Sequence, residues 1–377
     1  MIKPIAFYLP QFHEIEENNR WWGKGFTEWT SVKDAKPVFK GHIQPREPLN
    51  GYYYNLLDKD TMKWQAELAK KYRIYGFCMY HYYFKNGKKL LEKPAENLLK
   101  WKDIDIHFCF SWANESWIRT WSKLEGNDWN ESRDKSMGEM DVDKDGILAE
   151  QDYGNIEQWR DHYEYLRPFF KDSRYIKIDN QPVFLIYKTE KIECLNEMLD
   201  CWEDLAQKDG FSGICILATN SIHDNSSKIK GTVKFEPKFS QNNGLRARAV
   251  CINYICSVFK MLFGSYLKKW DYDKVWKNIL KSYHNSDGKI YPGAFTAYDD
   301  TPRRGKNGEI FKNATPEKFC RYLSQLCRQC KENYNQEYVF INAWNEWAEG
   351  AHLEPDTVDG YKWLEAVKRA VEENEEI

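Results

Sequence analysis

Short apolar runs alternate with amphipathic runs of helical period along the chain, and this alternation constrains the fold more than any other feature. Runs of about four to eight residues that are rich in β-branched and aromatic side chains are typical of buried strands. Strands that alternate with helices form parallel sheets built from βαβ units. Eight units predict one α/β (β/α)8 barrel. The eight runs are residues 2–9, 74–80, 104–110, 182–187, 213–218, 232–235, 289–295 and 338–342.

The segments between these runs carry apolar residues on one helical face. Residues 61–72, 156–170 and 192–206 repeat apolar side chains at helical spacing. Thr315 and Pro316 supply an N-cap followed by proline at the first helical position. No linker rich in proline, glycine or serine divides the 377 residues. The sequence therefore predicts a single catalytic domain over residues 1–377, with a polar loop insertion near 125–150 and an amphipathic segment near 245–270.

Charge and hydropathy argue against two classes of partner. The 55 Lys and Arg nearly balance the 57 Asp and Glu, so no basic field predicts binding to nucleic acid. Asn253 and Lys260 interrupt the most apolar long stretch, residues 249–267. We therefore expect no membrane span, with peripheral membrane association as the alternative.

The cysteines and the N-terminus predict a cytoplasmic location. Cys327 and Cys330 form the only C-x-x-C among ten cysteines, and without a second pair or a histidine cluster this argues against zinc. The first residues form a strand-like run and lack the pattern of a secretory signal. Unpaired thiols fit a reducing compartment.

Aromatic and polar side chains follow the predicted strands where each strand ends. In a (β/α)8 barrel the catalytic groups come from the carboxyl ends of several strands, so these side chains are expected to converge. Aromatic, amide and carboxyl groups together are typical of sites for polyhydroxylated sugars. The alternative for each tryptophan or histidine is packing in the core. The candidate substrate-binding residues are His13, Trp22, Trp29, His81, Tyr82, Trp112, Asn114, Glu115, Tyr187, Glu236, Asp299, Arg303, Arg304, Asn342, Trp344 and Trp347.

Two glutamates three residues apart follow the last predicted strand. Cleavage of a glycosidic bond uses one carboxylic acid to protonate the departing oxygen and a second carboxylate as nucleophile or base. Residues i and i+3 point to opposite faces of a continuing strand, but the chain turns at a strand exit, so both can face one pocket. We therefore predict Glu346 and Glu349 as the catalytic pair, with Glu115 and Glu236 in reserve. A solvated acidic turn is the alternative.

Two weaker patterns concern ions. Asp141, Asp143 and Asp145 have the spacing that opens an EF-hand calcium loop, but the twelfth position is Asp152 rather than glutamate. The same spacing occurs in nucleotide-sugar transferases, although no glycine-rich phosphate loop accompanies it here. We therefore expect no cofactor and no required metal, with calcium as a weaker alternative. The adjacent arginines 303 and 304 either hold a carboxylate or phosphate of the substrate or form a loop salt bridge.

Six motifs together resemble the WbsX family. The resemblance extends from the first strand to residues 354–356, almost the whole chain. Members of this family are described both as lipopolysaccharide-biosynthesis glycosyltransferases and as similar to glycoside hydrolase family 99, whose members are endo-acting mannosidases with a (β/α)8 barrel. The motifs are YLPQFH at 8–13, WWGKGFTEW at 21–29, GFCMYHY at 76–82, WANE at 112–115, TPRRG at 301–305 and NAWNEWAEG at 342–350.

The resemblance implies a distinct role for each glutamate. Residues 346–349 align with a Glu-Trp-His-Glu segment of family 99. This alignment implies that Glu349 is the general acid/base and that Glu346 removes a proton from the sugar 2-hydroxyl. That hydroxyl then attacks the anomeric carbon and forms a 1,2-anhydro intermediate. The family 99 histidine is Ala348 here, so specificity for mannose is not implied.

The implied activity is that of a retaining, endo-acting glycoside hydrolase. Its expected substrate is an oligo- or polysaccharide, namely a bacterial surface polysaccharide of the O-antigen or capsule type or its lipid-linked precursor. Two alternatives stay open: a glycosyltransferase that assembles the same polymer, and a non-catalytic glycan-binding barrel.

Overall fold

Nine parallel strands form the central sheet of the computed structural model, which describes residues 1–128, 130–137, 145–221, 226–282 and 289–375. The last strand pairs with the first, so the sheet curls into a nearly closed barrel. The predicted (β/α)8 fold is confirmed. The strands are β1 Lys3–Tyr8, β2 Gly76–Tyr83, β3 His107–Trp112, β4 Gln181–Ile186, β5 Cys215–Thr219, β6 Gly231–Val233, β7 Ile290–Tyr291, β8 Gly293–Phe295 and β9 Tyr338–Asn342.

Each of the eight predicted runs contains barrel strand, and one run contains two strands. Strands β7 and β8 are separated only by Pro292, because proline has no N–H to donate to the ladder. Strand β7 pairs with β6, whereas β8 pairs with β9. The two short strands therefore act as one barrel position that joins both neighbours.

Helices connect the strands and cover the barrel. The predicted cap of the helix near residue 316 is confirmed, because Thr315 Oγ1 accepts a hydrogen bond from the Lys318 N–H at 3.3 Å. The described α-helices are α1 Glu16–Trp22, α2 Glu28–Asp34, α3 Lys59–Lys71, α4 Lys93–Lys100, α5 Glu131–Met137, α6 Ile156–Phe170, α7 Leu195–Lys208, α8 Lys238–Asn242, α9 Arg246–Phe263, α10 Tyr272–Lys281, α11 Thr301–Arg304, α12 Pro316–Gln329 and α13 Lys362–Glu372.

Short elements decorate the two ends of the barrel. Antiparallel pairs join 117–118 to 147–149, 345–346 to 351–352, and two short strands to β2 and β4, whereas 268–271 and 309–312 pair in parallel. The remaining elements are the strands Lys89–Leu90, Trp117–Ile118, Ile147–Ala149, Lys177–Ile178, Lys268–Asp271, Glu309–Lys312, Asn345–Glu346 and Ala351–His352, the 3-10 turns Leu49–Gly51, Lys85–Gly87, Thr189–Lys191, Gly305–Asn307 and Trp347–Glu349, and the π turn Cys330–Tyr334.

The two segments singled out in the sequence differ in how far they are described. The acidic segment includes α5 and the strand Ile147–Ala149, but Asp141 and Asp143 lie outside the described residues. The described part of the chain has no group of three or more histidine, cysteine or acidic side chains that could hold a metal ion. The amphipathic segment contains α9, and no described helix is both long and apolar enough to cross a bilayer.

Candidate active site

A cleft of about 190 Å³ opens at the carboxyl ends of the barrel strands, the end at which catalytic groups gather in this fold. Residues from most of the strand exits contribute to it. The predicted residues that line it are Tyr82, Glu115, Tyr187, Arg303, Glu346 and Glu349. The other lining residues are Leu9, Gln11, Tyr80, Ser111, Ala113, Trp117, Asn127, Phe235, Lys238 and Tyr298.

Three tyrosines supply hydroxyl groups to the cleft. Tyr80 and Tyr82 alternate along β2, so both side chains point to the interior face of the barrel. Burial, followed by the charge of Glu346, raises the pKa of both phenols, and burial also raises the pKa of Tyr187. These hydroxyls therefore stay protonated at neutral pH and can donate to a ligand.

Arg303 joins the two predicted catalytic glutamates. Its Nη1 donates to Glu349 Oε1 at 2.6 Å and its Nη2 donates to Glu346 Oε2 at 3.0 Å. The same Nη2 donates to Glu28 Oε1 at 2.8 Å. One guanidinium thus holds three carboxylates, and the two predicted glutamates lie on one wall of the cleft.

The two glutamates differ in exposure. The side chain of Glu346 is 6% exposed, whereas that of Glu349 is 23% exposed. Burial, and then the charge of Glu349, raises the pKa of Glu346 well above its usual range, and Arg303 opposes this shift. The deeper carboxyl group therefore retains a proton more readily than an ordinary glutamate, and the outer one is accessible from the cleft.

Glu28 fixes the loop that carries the pair. It begins α2, is fully buried, and its Oε1 also accepts a hydrogen bond from the backbone N–H of Ala348 at 3.0 Å. Glu28 lies within one of the six sequence motifs, but it was not among the candidate site residues. Its partner Arg303 lies 275 positions away in the chain, a separation that local patterns do not reveal.

Glu354 organises the other side of the same loop, and it corrects the expected roles of two tryptophans. Trp344 Nε1 donates to Glu354 Oε1 at 2.9 Å and Trp347 Nε1 donates to Glu354 Oε2 at 2.7 Å. Tyr54 and Gln65 donate to the same carboxylate at 2.8 Å and 2.7 Å. Both indoles are buried away from the cleft because the loop turns their N–H groups towards this carboxylate.

Three further candidates also pack in the core rather than line the cleft. His81 alternates with Tyr80 and Tyr82 and so points outwards from the barrel, where its Nε2 lies 2.8 Å from Nε2 of His162. Burial lowers the pKa of His81 to about 3. Trp112 Nε1 donates to a backbone carbonyl of β2 at 3.0 Å. Asn114 links the ends of β3 and β4, because it exchanges two hydrogen bonds with the backbone of residue 188.

The candidates from the first loop are likewise buried. His13 is 1% exposed, and burial lowers its pKa to about 4. Trp22 lies under the guanidinium of Arg119 at 4.6 Å from the ring centroid. Trp29 donates to the Tyr54 carbonyl at 2.8 Å and packs against Trp347. These three side chains support the loop instead of lining the cleft.

The remaining candidates lie beside the cleft. Glu236 is buried, accepts hydrogen bonds from the Ser240 N–H and hydroxyl, and has its pKa raised to about 7 by burial. Asn342 donates to the Glu236 carbonyl at 3.1 Å. Arg304 pairs with Asp128 and Asp300. Asp299 accepts hydrogen bonds from residues 42, 44 and 301 and faces a neighbouring cavity.

Sequence reasoning missed several lining residues. Tyr80 could have been found, because it shares the two-residue period of Tyr82 in a predicted strand. Gln11 and Trp117 lie within or beside the sequence motifs. Lys238 and Tyr298 carry no local signal, and only the closed barrel brings them to the same cleft as Glu349.

Comparisons with known proteins match this architecture. The chain is 32% identical over 375 residues to the uncharacterized protein WxcX of Xanthomonas campestris pv. campestris, with 97% of this chain and 49% of that protein covered. A second strain has a WxcX protein that is also 32% identical, over 377 residues. The chain thus spans about half the length of the curated relatives it matches.

Two solved structures share the fold at low sequence identity. The GH99 endo-alpha-mannosidase from Bacteroides thetaiotaomicron superposes with a TM-score of 0.56 at 12% identity, covering 99% of this chain and 97% of that one. A glycoside hydrolase-like protein has a TM-score of 0.55 at 13% identity, covering 98% and 93%. The family model described as Glycosyltransferase WbsX matches residues 4–367. The chain belongs to the Glycosyltransferase WbsX family.

Proposed function

We propose that this protein is a carbohydrate-active enzyme, a retaining endo-acting glycoside hydrolase of bacterial surface polysaccharide or its lipid-linked precursor. The observation that carries the proposal is the single Arg303 guanidinium that holds one oxygen of Glu346 and one of Glu349 on the cleft wall. A shared cation keeps two carboxyl groups near one another, as a retaining reaction on one sugar requires. The GH99 fold likeness and the family membership support a glycan substrate.

In the first step the sugar 2-hydroxyl replaces an enzyme nucleophile. Glu346 takes the hydroxyl proton, the 2-oxygen forms a bond to the anomeric carbon, and the bond from that carbon to the leaving oxygen breaks. Glu349 gives its proton to the leaving oxygen. The products of this step are a shortened glycan and a 1,2-anhydro sugar. Glu349 suits the outer role because it is the more exposed carboxyl group.

In the second step water opens the anhydro ring. Glu349 takes a proton from water, the water oxygen attacks the anomeric carbon, and the bond to the 2-oxygen breaks as Glu346 returns its proton. Each step inverts the anomeric carbon, so the two steps together retain its configuration. Protonated Tyr80, Tyr82 and Tyr187 would orient the hydroxyls of the sugar.

The resting proton is on the opposite carboxyl group from the one that this cycle needs. Burial favours the protonated form of Glu346 in the empty site, as the raised pKa of this group indicates, whereas the cycle begins with the proton on Glu349. Two close carboxyl groups titrate as one unit, so one shared proton can pass between them. We propose that substrate binding moves this proton outwards, because the bound 2-hydroxyl donates to the Glu346 carboxylate and stabilises its charge.

Transfer from a sugar nucleotide or lipid phosphate is the second candidate function, and the description of the family favours it. Such a donor needs a cation for its phosphate groups. The two cations that line the described part of the cleft already have carboxylate partners: Arg303 pairs with three glutamates and Lys238 pairs with Glu309 at 2.6 Å. This pairing supports hydrolysis over transfer.

The ten cysteines support a reducing, cytoplasmic setting as part of the proposal. All ten are free thiols, and seven of them are buried. We also propose that residues 1–377 act as one catalytic domain, since strands from both ends of the chain pair with each other in the barrel.

An assay with two arms tests the proposal. The protein is incubated with surface polysaccharide from its own organism, and separately with sugar nucleotides plus acceptor glycan, and products are weighed by mass spectrometry. Shorter oligosaccharides that require Glu346 and Glu349 are the expected result. Extension of the acceptor that depends on the donor would replace hydrolysis by transfer. Tight binding without turnover in either arm would favour the glycan-binding alternative.

A further inference from the structure

Helix α9 leaves an unusual amount of apolar surface uncovered. Seven of the 17 large hydrophobic side chains that are exposed among the described residues belong to this helix. Met261 is 78% exposed, Tyr254 is 72% exposed and Phe263 is 70% exposed. Contiguous exposed apolar surface marks an interaction site. The seven residues are Val250, Tyr254, Ile255, Phe259, Met261, Leu262 and Phe263.

The helix is held to the barrel by its opposite side. Leu245, Ala249 and Ile252 pack against the main core, and Cys256 is buried. Val250, Tyr254 and Met261 share a different stripe, since they are spaced at four and then seven residues. The helix therefore has one face docked on the protein and one apolar face turned outwards.

Charge is segregated in the same part of the chain. Residues 237–270 contain six lysines and arginines and no aspartate or glutamate, although the whole chain carries 57 acidic residues and a net charge of −2. Arg246 and Arg248 begin α9, and Lys268 and Lys269 follow it. An exposed apolar face rimmed by cations matches the interface of a bilayer that contains anionic lipids.

Another exposed aromatic side chain adjoins the basic rim. The ammonium group of Lys269 lies 5.3 Å from the centroid of the Phe39 ring, and Phe39 is 37% exposed. The cationic strand after α9 is therefore in contact with a second loop that offers an apolar group. A surface that combines separate loops suits a broad, flat partner better than a peptide groove.

The position of α9 relates this surface to the cleft. Helix α8 leads into α9, and the Leu245 N–H donates to the Ser240 carbonyl at 2.9 Å. Lys238, the first residue of α8, lines the cleft. The helix thus belongs to the end of the barrel at which the cleft opens.

We propose that α9 is a membrane-docking helix that lies flat on the surface of an anionic phospholipid bilayer. Its apolar face enters the boundary between headgroups and acyl chains, and the flanking cations contact lipid phosphates. Resting on the proposed function, docking would present the cleft to a glycan that is anchored in the same bilayer. The substrate class is then a lipid-linked saccharide rather than a free polymer.

Vesicle flotation tests this inference without any saccharide. Full-length protein is mixed with vesicles of phosphatidylcholine alone, or with vesicles in which about a third of the lipid is anionic phosphatidylglycerol, enough to give a negative surface potential. We expect flotation with the anionic vesicles only. Flotation should be lost in about 0.5 M salt, roughly three times physiological ionic strength, because salt screens the cations.

Two variants locate the surface. Leu262→Asp and the double change Arg246→Glu with Arg248→Glu are each expected to weaken anionic-vesicle binding by at least about tenfold, at roughly 1 kcal/mol per cation contact. Leu57→Asp is the matched control, since Leu57 is 41% exposed far along the chain from α9. It should float like the wild type. Circular dichroism verifies that each variant is folded.

Three results would overturn the inference. They are no flotation of wild type, equal flotation of the α9 variants, and a dimer by light scattering that Leu262→Asp converts to monomer while vesicles have no effect. The last result would assign the face to a second copy of the chain. Any of them would leave the proposed hydrolysis untouched, because free polysaccharide cleavage is measured without vesicles.

Discussion

Two buried charge centres flank the loop after β9, and they are built in opposite ways. At the cleft, one cation, Arg303, holds the carboxylates of Glu28, Glu346 and Glu349. Behind the loop, one carboxylate, Glu354, accepts hydrogen bonds from four neutral donors. The first centre has more negative groups than its cation neutralises, and it faces a cavity. The second is surrounded by donors and faces the core.

This difference separates chemistry from support. A carboxyl group that shares a cation with two others retains the capacity to exchange a proton, which is what acid–base catalysis needs. A carboxylate whose oxygens are all engaged by protein donors holds those donors in place. The loop between the centres therefore has a reactive side and an anchored side, and the predictions below test that division.

The largest expected effect is on turnover at the reactive side. Glu346→Gln and Glu349→Gln are each expected to lower kcat by roughly 10²–10⁴-fold, the contribution of a positioned acid or base. Both variants should keep the wild-type melting temperature, since amide and carboxyl groups have the same shape. Glu67→Gln, at an exposed position on α3, is the matched control. Full activity of either site variant would remove that glutamate from the mechanism.

The same two variants distinguish the roles. A substrate with an activated leaving group needs no protonation of the departing oxygen, so it should restore the first step in Glu349→Gln but not in Glu346→Gln. The measurement is the rate of leaving-group release for a series of aryl glycosides. Rescue of Glu346→Gln instead would exchange the two roles, as the raised pKa of Glu346 in the empty site would favour.

The next effect is on stability and arises from the shared cation. Arg303→Met leaves three carboxyl groups without their common partner, and we expect it to lower the free energy of unfolding by about 3–5 kcal/mol. Arg304→Met is the control, because the neighbouring arginine is 31% exposed and its ion pairs contribute about 1 kcal/mol or less. Urea unfolding of both variants checks this. Equal losses would show that Arg303 is an ordinary ion-pair residue.

A smaller effect is expected at the anchored side. Glu354→Gln turns an amide donor towards four other donors, and we expect a loss of about 1–3 kcal/mol in the free energy of unfolding. Tyr54→Phe removes one of the four donors and should cost about 1 kcal/mol. If Glu354 only anchors the loop, kcat measured well below the melting temperature should fall much less than in the catalytic variants. A loss as large as in Glu346→Gln would contradict the division.

The smallest effect concerns pH. Glu346 must be ionised to act as a base, and its pKa is raised by burial and by nearby charges. The rate constant kcat/KM should therefore fall with decreasing pH at a pH above about 4.3, the usual value for glutamate. Glu28→Gln should move this acid limb to lower pH, because the charge of Glu28 raises the pKa of Glu346. Glu354→Gln should leave the limb in place.

Much of the fold could be predicted from the sequence because the barrel strands are buried on both faces. Continuous apolar runs such as the one at β9 can be recognised without knowledge of their neighbours. The division of the seventh run at Pro292 was not predicted, although proline in a strand is a local signal for it. The proposed catalytic glutamates could be located because they follow a strand directly.

The rest of the site depends on side-chain direction and on distant partners. Trp344 and Trp347 have the composition of a sugar platform, but the turn after β9 directs their indoles to Glu354. His81 was named although it alternates with the residues that face the cleft. Arg303 was predicted to hold a carboxylate or phosphate of the substrate or to form a salt bridge, and it forms salt bridges to carboxylates of the protein itself. Only tertiary structure decides between those choices.

The anomeric configuration of the first product tests most directly whether Glu346 and Glu349, held by one guanidinium, act together on one sugar residue. Proton NMR is recorded within minutes of adding the enzyme to its polysaccharide, before mutarotation scrambles the new reducing end. We predict that the first anomer has the configuration of the cleaved bond. The opposite anomer would mean direct attack by water across a wider pair of carboxyl groups, and would contradict the proposed retaining reaction.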